Sequence, residues 1–520
     1  MSENSCDALE EIAPMVHRGM LFCDGEREVP WLIFCSPEGD TRVLPKAFIA
    51  TGNPDEFPTR PLNSADQLPC QTYTLEEAMR FAGKGTRIQL LPGKYYRPVT
   101  ISKDHTRKDT PLTISGMGSK TILCGTNQPG KIYPDLPDMQ DFAFFKIKDT
   151  EGVTIRNLSV QGCWPSFLIA ENSQHIRIEK LHVEDGRYPI FAGPGCSDFT
   201  VDNNYWKQDP TQAIWQDIDW LYTHHTQYAY MNGGFFGSLN FTTGLIFSNN
   251  EIEYAFNGLR MAIDSDDASA FNRNVQVYSN RFSYIRDNAI EPEGHALNWH
   301  MYHNRFFNNH APFSFDNVSG GHWLIYGNIG WFDDQPGRPY QTGRGGKIFK
   351  FGKKATTTKD SYIFNNSWYT RSFVIKKSNI DHFHHYNNAY QFCEPQSYDE
   401  QPCLCVTRKT LTKKFPENGE WPCKLYFDHD ISTSRFGELC ESHHQEKEGK
   451  YDPDFRFKNP QKGNLRLKKS RQVEGKSLKD IFSLPWVVDK AGKQSKHCKV
   501  IIGAYQGDEL VKGPEFKAYP

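Results

Sequence analysis

The sequence predicts an all-β fold, a parallel β-helix solenoid, from three observations. One side-chain column returns every 22 to 24 residues, with longer intervals where loops leave it. Apolar residues alternate with period two over segments too short to stand alone. Glycine (40) and proline (31) occur at the frequency that many turns require, without any low-complexity run.

The column is read from segments of the form apolar, any, apolar, any, any, Asn, any, aromatic. Phe199 to Trp206, Leu245 to Ile252, Val275 to Phe282 and Trp299 to Phe306 fit it closely. Trp323 to Gly330, Ser361 to Trp368 and Phe383 to Tyr390 fit it more loosely. Two earlier copies, Val153 to Val160 and Ile176 to Val183, carry Leu in place of Asn. The column is therefore Leu158, Leu181, Asn204, Asn250, Asn280, Asn304, Asn328, Asn366 and Asn388. Stacked copies bury their apolar faces in one core, and identical amides at strand spacing hydrogen-bond along the stack. The leucine-rich-repeat consensus and the paired Trp-Asp of propeller blades are missing.

A second strand is expected after each Asn turn: Phe167 to Ile169, Ile190 to Ala192, Leu259 to Met261, Ile290 to Pro292, Phe313 to Phe315, Phe349 to Phe351 and Phe373 to Ile375. Upstream, Thr74 is a plausible N-cap with Glu77 at the capping-box position, and Ala78, Phe81 and Ala82 offer an apolar face. This helix is expected to cap the open end of the core. Strands are expected at Ile88 to Leu91, Val99 to Ile101 and Leu112 to Ile114, and a hairpin region at Val29 to Cys35 with Arg42 to Leu44. The domain reading is a β-rich extension over 1–70, the β-helix over 71–392 and a Cys-containing C-terminal tail over 393–520 that packs on it.

Net charge is −2, so no global field favours nucleic acid, and no apolar run approaches a membrane span. The first residues are acidic and polar, unlike a signal peptide. Five of the 13 cysteines, Cys393, Cys403, Cys405, Cys423 and Cys440, precede His443 and His444. Without a Cys-x-x-Cys pair they read as a stapled or reduced cap before a zinc site.

From Thr74 to Tyr96, through the coils at Gly152 to Leu158 and the Asn column, the chain resembles the right-handed parallel β-helix superfamily of pectin and alginate lyases and many glycoside hydrolases. The closing segments Asn464 to Leu467 and Ile502 to Tyr505 are similar to the ends of such proteins. The resemblance implies right-handed coils, in keeping with the crossover rule for parallel strands, and a secreted or periplasmic enzyme on polysaccharide. The motif sets of polygalacturonases, pectate lyases and alginate epimerases are absent, so the resemblance carries no catalytic residue to this chain.

The second-strand column supplies candidates directly. Arg260, Glu291, Ser314 and Lys350 are expected to stack outward, with Glu293 and Asp316 in a neighbouring column. Coils about 4.8 Å apart bring such groups within ion-pair reach, where one acid of a close pair keeps its proton or a cation binds. A lyase on uronates must neutralise the substrate carboxylate, by Ca2+ or a basic group, and take the neighbouring proton. A hydrolase needs two flanking carboxylates. The candidate catalytic residues are Arg260, Glu291, Glu293, Asp316, Lys350 and His225. Trp215, Trp220, His224 and His295 are candidate substrate contacts, and Asp264, Asp266 and Asp267 candidate Ca2+ ligands. Solvent-facing strand positions are ordinarily charged, and a non-catalytic glycan-binding module remains the competing reading. Glu291-Pro292-Glu293 favours function, since proline within a strand marks a bulge or break.

Overall fold

The computed structural model describes residues 10–13, 16–23, 27–34, 47–51, 72–125, 143–162, 165–212, 232–264, 272–316, 318–332, 347–351, 359–370, 373–375, 382–393, 425–436, 444–467, 472–477, 481, 500–506 and 508–519. It forms two compact units, Met1–Tyr205 and Trp206–Pro520, each built from coils of parallel strands.

In the first unit Glu10–Ala13, Val16–Cys23 and Arg27–Phe34 make an antiparallel sheet. The hairpin partner of Arg27–Phe34 is thus the strand before it, and Arg42 to Leu44 lies outside the described residues. One parallel ladder contains Ala47–Thr51, Arg87–Leu90, Leu112–Cys124, Glu151–Gln161, Gln174–Glu184 and Ser197–Asp202. A second contains Val99–Ile101, Phe145–Ile147, Phe167–Ile169 and Ile190–Ala192. Leu158 pairs with Leu181, whose N–H donates to Asn204 Oδ1 at 3.0 Å. The helix is Leu75–Phe81, only seven residues. Its capping box forms: Glu77 N–H donates to Thr74 Oγ1 and Thr74 N–H to Glu77 Oε2. Leu75, Ala78 and Met79 are its buried side chains. A helix of two turns is a short N-terminal element.

The second unit repeats the same coil. Leu245, Val275 and Trp299 align, as do Phe282 and Phe306. The Asn column is a continuous amide ladder. The N–H and Nδ2 of Asn250 both donate to Asn280 Oδ1, and the pattern repeats from Asn280 to Asn304, Asn304 to Asn328, Asn328 to Asn366 and Asn366 to Asn388, at 2.9 to 3.1 Å. From Asn280 to Asn388 each Nδ2 also donates to a strand carbonyl one coil upstream, as Asn304 does to Val277 O. The residue before each rung is left-handed: Asn249, Ser279, His303, Gly327, Asn365 and Asn387 have φ from 51° to 63°. Asn tolerates that region better than most residues, which explains the Asn-Asn pairs in the sequence.

Aromatic rings stack inside the ladder. Phe247, Phe282 and Phe306 lie face to face, and Phe306 continues onto Trp368 at 5.8 Å. Between these two coils the column holds Gly330, where an added Cβ would meet Trp368 Cζ3 at 2.0 Å. Trp299 and Trp323 are fully buried. The chain end returns along the same unit. Asn365 Nδ2 donates to Ile501 O and Gly503 O, His303 Nε2 meets Val511 O, Asn298 Nδ2 donates to Lys517 O, and Tyr519 N–H donates to Asn274 Oδ1. Of the cysteines, Cys196 is buried and Cys124 and Cys393 are half-buried, and the remainder of the C-terminal cluster lies outside the described residues.

Candidate active site and a buried polar cluster

The expected second strands form as Leu259–Ala262, Asn288–Tyr302, Ala311–Phe315, Lys347–Phe351 and Phe373–Ile375. Arg260 pairs with Glu291, Ile290 with Phe313, and Ser314 with Lys350. Leu259, Ile290, Phe313 and Phe349 point into the core, so Arg260, Glu291, Ser314 and Lys350 share the opposite face. The small Ser314 lets the Lys350 side chain cross its coil. Lys350 Nζ reaches Asp287 Oδ1 at 3.3 Å and Asp316 Oδ2 at 3.8 Å.

Arg260 holds the other side. Its Nη2 lies 2.9 Å from Glu293 Oε2, its Nε 3.6 Å from Glu291 Oε2, and its Nη1 donates to Asn232 Oδ1. Asn232 closes the long interval after Asn204. Glu291 is only 5% exposed, and Asn288 Nδ2 donates to its Oε1. Burial, then the charge of Asp287, pushes its carboxyl up to about 8 against the pull of Lys350 and Arg260. Burial works to lower Lys350, but the acids around it win and hold it above its ordinary value. Asp287, then Glu291, then Asp316 supply that elevation. The cluster thus combines two fixed cations, one protonated carboxyl and partly exposed acids at Glu293 and Asp316.

Pro292 makes no bulge, contrary to the sequence expectation. Its pairing with Met261 keeps register, and Ala262 to Glu293 continues it. The missing N–H falls on the other side, where the registered pairing with Ala311–Phe315 ends at Ile290 and Phe313. The bend comes two residues later, at Gly294 with φ 79°. His295 lies beyond it, against Ser319. Asp264 is exposed, with its N–H donated to Asn240 Oδ1. Trp215, Trp220, His224, His225, Asp266 and Asp267 lie outside the described residues. Asn288, Asn232 and Asp287 join the site from outside the second-strand columns. Only the registers reveal them as partners of Glu291, Arg260 and Lys350.

A second cluster was not foreseen. Asn388 N–H and Nδ2 donate to Asp430 Oδ1, so Asp430 is the next rung of the ladder. Its Oδ2 meets His385 Nδ1 at 2.5 Å, and His385 Nε2 meets Tyr390 Oη at 2.7 Å. Asp430 N–H donates to Glu446 Oε2. Nitrogen and oxygen atoms of His385, Asp430 and Glu446 lie within 4.8 Å of one another, all buried, so this group could hold a metal ion. The signal was present: Leu425 to Ile431 follows the repeat with Asp in the Asn place.

Residues 145–329 match a family model described as a right handed beta helix region. Over those residues the fold is accordingly a right-handed parallel β-helix. A sequence search of curated proteins gives no match. Among solved structures, pectate lyase Pel9A is 16% identical over 64% of this chain and 78% of its own, at a TM-score of 0.38. A mannuronic acid specific family 6 polysaccharide lyase from human gut microbiota is 10% identical over 78% and 92%, at 0.44. A family 28 exopolygalacturonase of Yersinia enterocolitica is 10% identical over 75% and 81%, at 0.45. Likenesses at this level do not bear on the reaction.

Proposed function

We propose that the chain is a polysaccharide-active enzyme, a lyase that cleaves a uronic-acid-containing glycan by β-elimination on the Arg260 to Lys350 face. The observation that carries this reading is a buried Glu291, its carboxyl pushed up to about 8, set between Arg260 on the adjoining coil and Lys350 two coils along on the other side. Arg260 and Lys350 neutralise the substrate carboxylate and the enolate that forms from it. Glu293 and Asp316, the most exposed acids of the group, are placed to take the adjacent proton. Glu291 gives its proton to the departing glycosidic oxygen. Each cation already holds a carboxylate, so an entering uronate exchanges with Glu293 or Asp316 and frees the base. Ca2+ at Asp264, with Asp266 and Asp267, would add a further anchor for an acidic polymer. Polymers of this kind lie outside the cytoplasmic membrane, which puts the protein in a secreted or periplasmic setting.

A hydrolase is the second reading, favoured by the same neutral Glu291 beside ionised acids, an acid and base pair for glycoside hydrolysis. Uronate polymers incubated with the wild type and with Glu291→Gln, with and without chelator, separate these. Elimination gives an unsaturated product that absorbs in the ultraviolet. Reducing ends without that absorbance sink the lyase and leave the hydrolase. Glycan binding with neither product leaves a binding module.

A further inference from the structure

The buried cluster at the last rung has chemistry that the ladder does not require. In each rung from Asn280 to Asn388 the Asn Nδ2 donates to the carbonyl of the residue three before the preceding rung, as Asn366 does to Ile325 O and Asn388 to Ile363 O. Asp430 has no such donor. In the place it would reach, residue 385, stands an imidazole in a column otherwise filled by apolar side chains such as Phe247, Val277, Met301, Ile325 and Ile363.

Two independent observations point to a cation there. First, ligand atoms of His385, Asp430 and Glu446 lie within 4.8 Å of one another, all three residues buried, with His385 Nδ1 and Asp430 Oδ2 in direct contact. Tyr390 Oη takes up the other ring nitrogen, Nε2, at 2.7 Å. Second, Glu446 Oε1 is buried and has no hydrogen-bond partner among the described residues. A carboxylate oxygen is costly to leave so.

We propose that His385, Asp430 and Glu446 bind a divalent transition metal of the zinc class, which closes the amide ladder from inside the core. Two carboxylates neutralise a dication. One nitrogen and two oxygen donors suit zinc, whereas Ca2+ takes six to eight oxygens. The bond from Nε2 to Tyr390 is the outer contact that orients a ligand histidine. Zinc ligands at about 2.0–2.2 Å stand roughly 3.3 Å apart, so Nδ1 and Oδ2 separate by roughly 0.8 Å on binding.

The test is metal analysis of the full chain, grown with zinc and dialysed, and a visible spectrum after growth with cobalt in place of zinc. One equivalent of zinc per chain, tetrahedral cobalt bands and a Tm that falls with chelator are expected. Asp430→Asn restores the donor of an ordinary rung, so it should fold, with metal content down at least tenfold and Tm indifferent to chelator. Wild type without stoichiometric metal, or without cobalt bands, overturns the proposal. A Tm of Asp430→Asn that still falls with chelator does so too. None of these readings depends on the elimination assay.

Discussion

Glu291 is the residue on which the site turns. Its neighbours set a protonated carboxyl against two cations, so replacing it by Gln keeps the shape and removes the proton to be given. The expected loss in kcat is about 10²- to 10⁴-fold, with glycan binding retained. The basic limb of the wild-type pH profile, expected near 8, should vanish in the residual activity of the variant. At the other extreme of residue chemistry stands Gly330, whose missing side chain is occupied by Trp368. Gly330→Ala drives a methyl into that ring and should cost about 1–3 kcal/mol, read from a urea midpoint.

At the scale of elements, the rung and the cap differ in what their loss leaves behind. Asn304→Ala strips Asn280 N–H and Nδ2 of an acceptor and leaves Val277 O without its amide, all in a dry interior. About 2–4 kcal/mol is expected. Thr74→Ala undoes a cap beside solvent and should cost about 1 kcal/mol. The two urea curves, measured side by side, check both. Rungs and second strands were legible because a column that buries identical groups must repeat in the chain. Phe167–Ile169 and Ile190–Ala192 match their expected bounds. Asp430 was passed over because an acid replaces the amide and its spacing from Asn388 is 42 residues. The pairing of Asp287 with Lys350 was not legible because Lys350 reaches it across a coil, a contact fixed by side-chain length and a small Ser314 rather than by any local pattern. Pro292 was misread because only the neighbouring registers show which side its absent N–H faces.

For the whole molecule, buried acids make stability fall as pH rises. A carboxyl held up near 8 when folded and at 4.5 when unfolded favours the native state fully below pH 4.5. That contribution is lost as pH climbs through the interval to about 8, because the unfolded chain then releases a proton the folded chain keeps. Chemical denaturation from pH 5 to 8.5 should show this decline. Glu291→Gln should show a shallower one, since its amide does not titrate. An equal slope in both proteins would assign the effect elsewhere.

The returning chain end has a separate consequence. It holds Asn365 near residue 502, His303 at Val511, Asn298 at Lys517 and Asn274 at Tyr519, crossing the coils in reverse order. It therefore acts as a gauge of coil number. Adding or removing one whole coil beneath it would displace every later anchor by about 4.8 Å, while lengthening a side loop displaces none. Such a molecule can diversify freely at its edges and hardly at all in height.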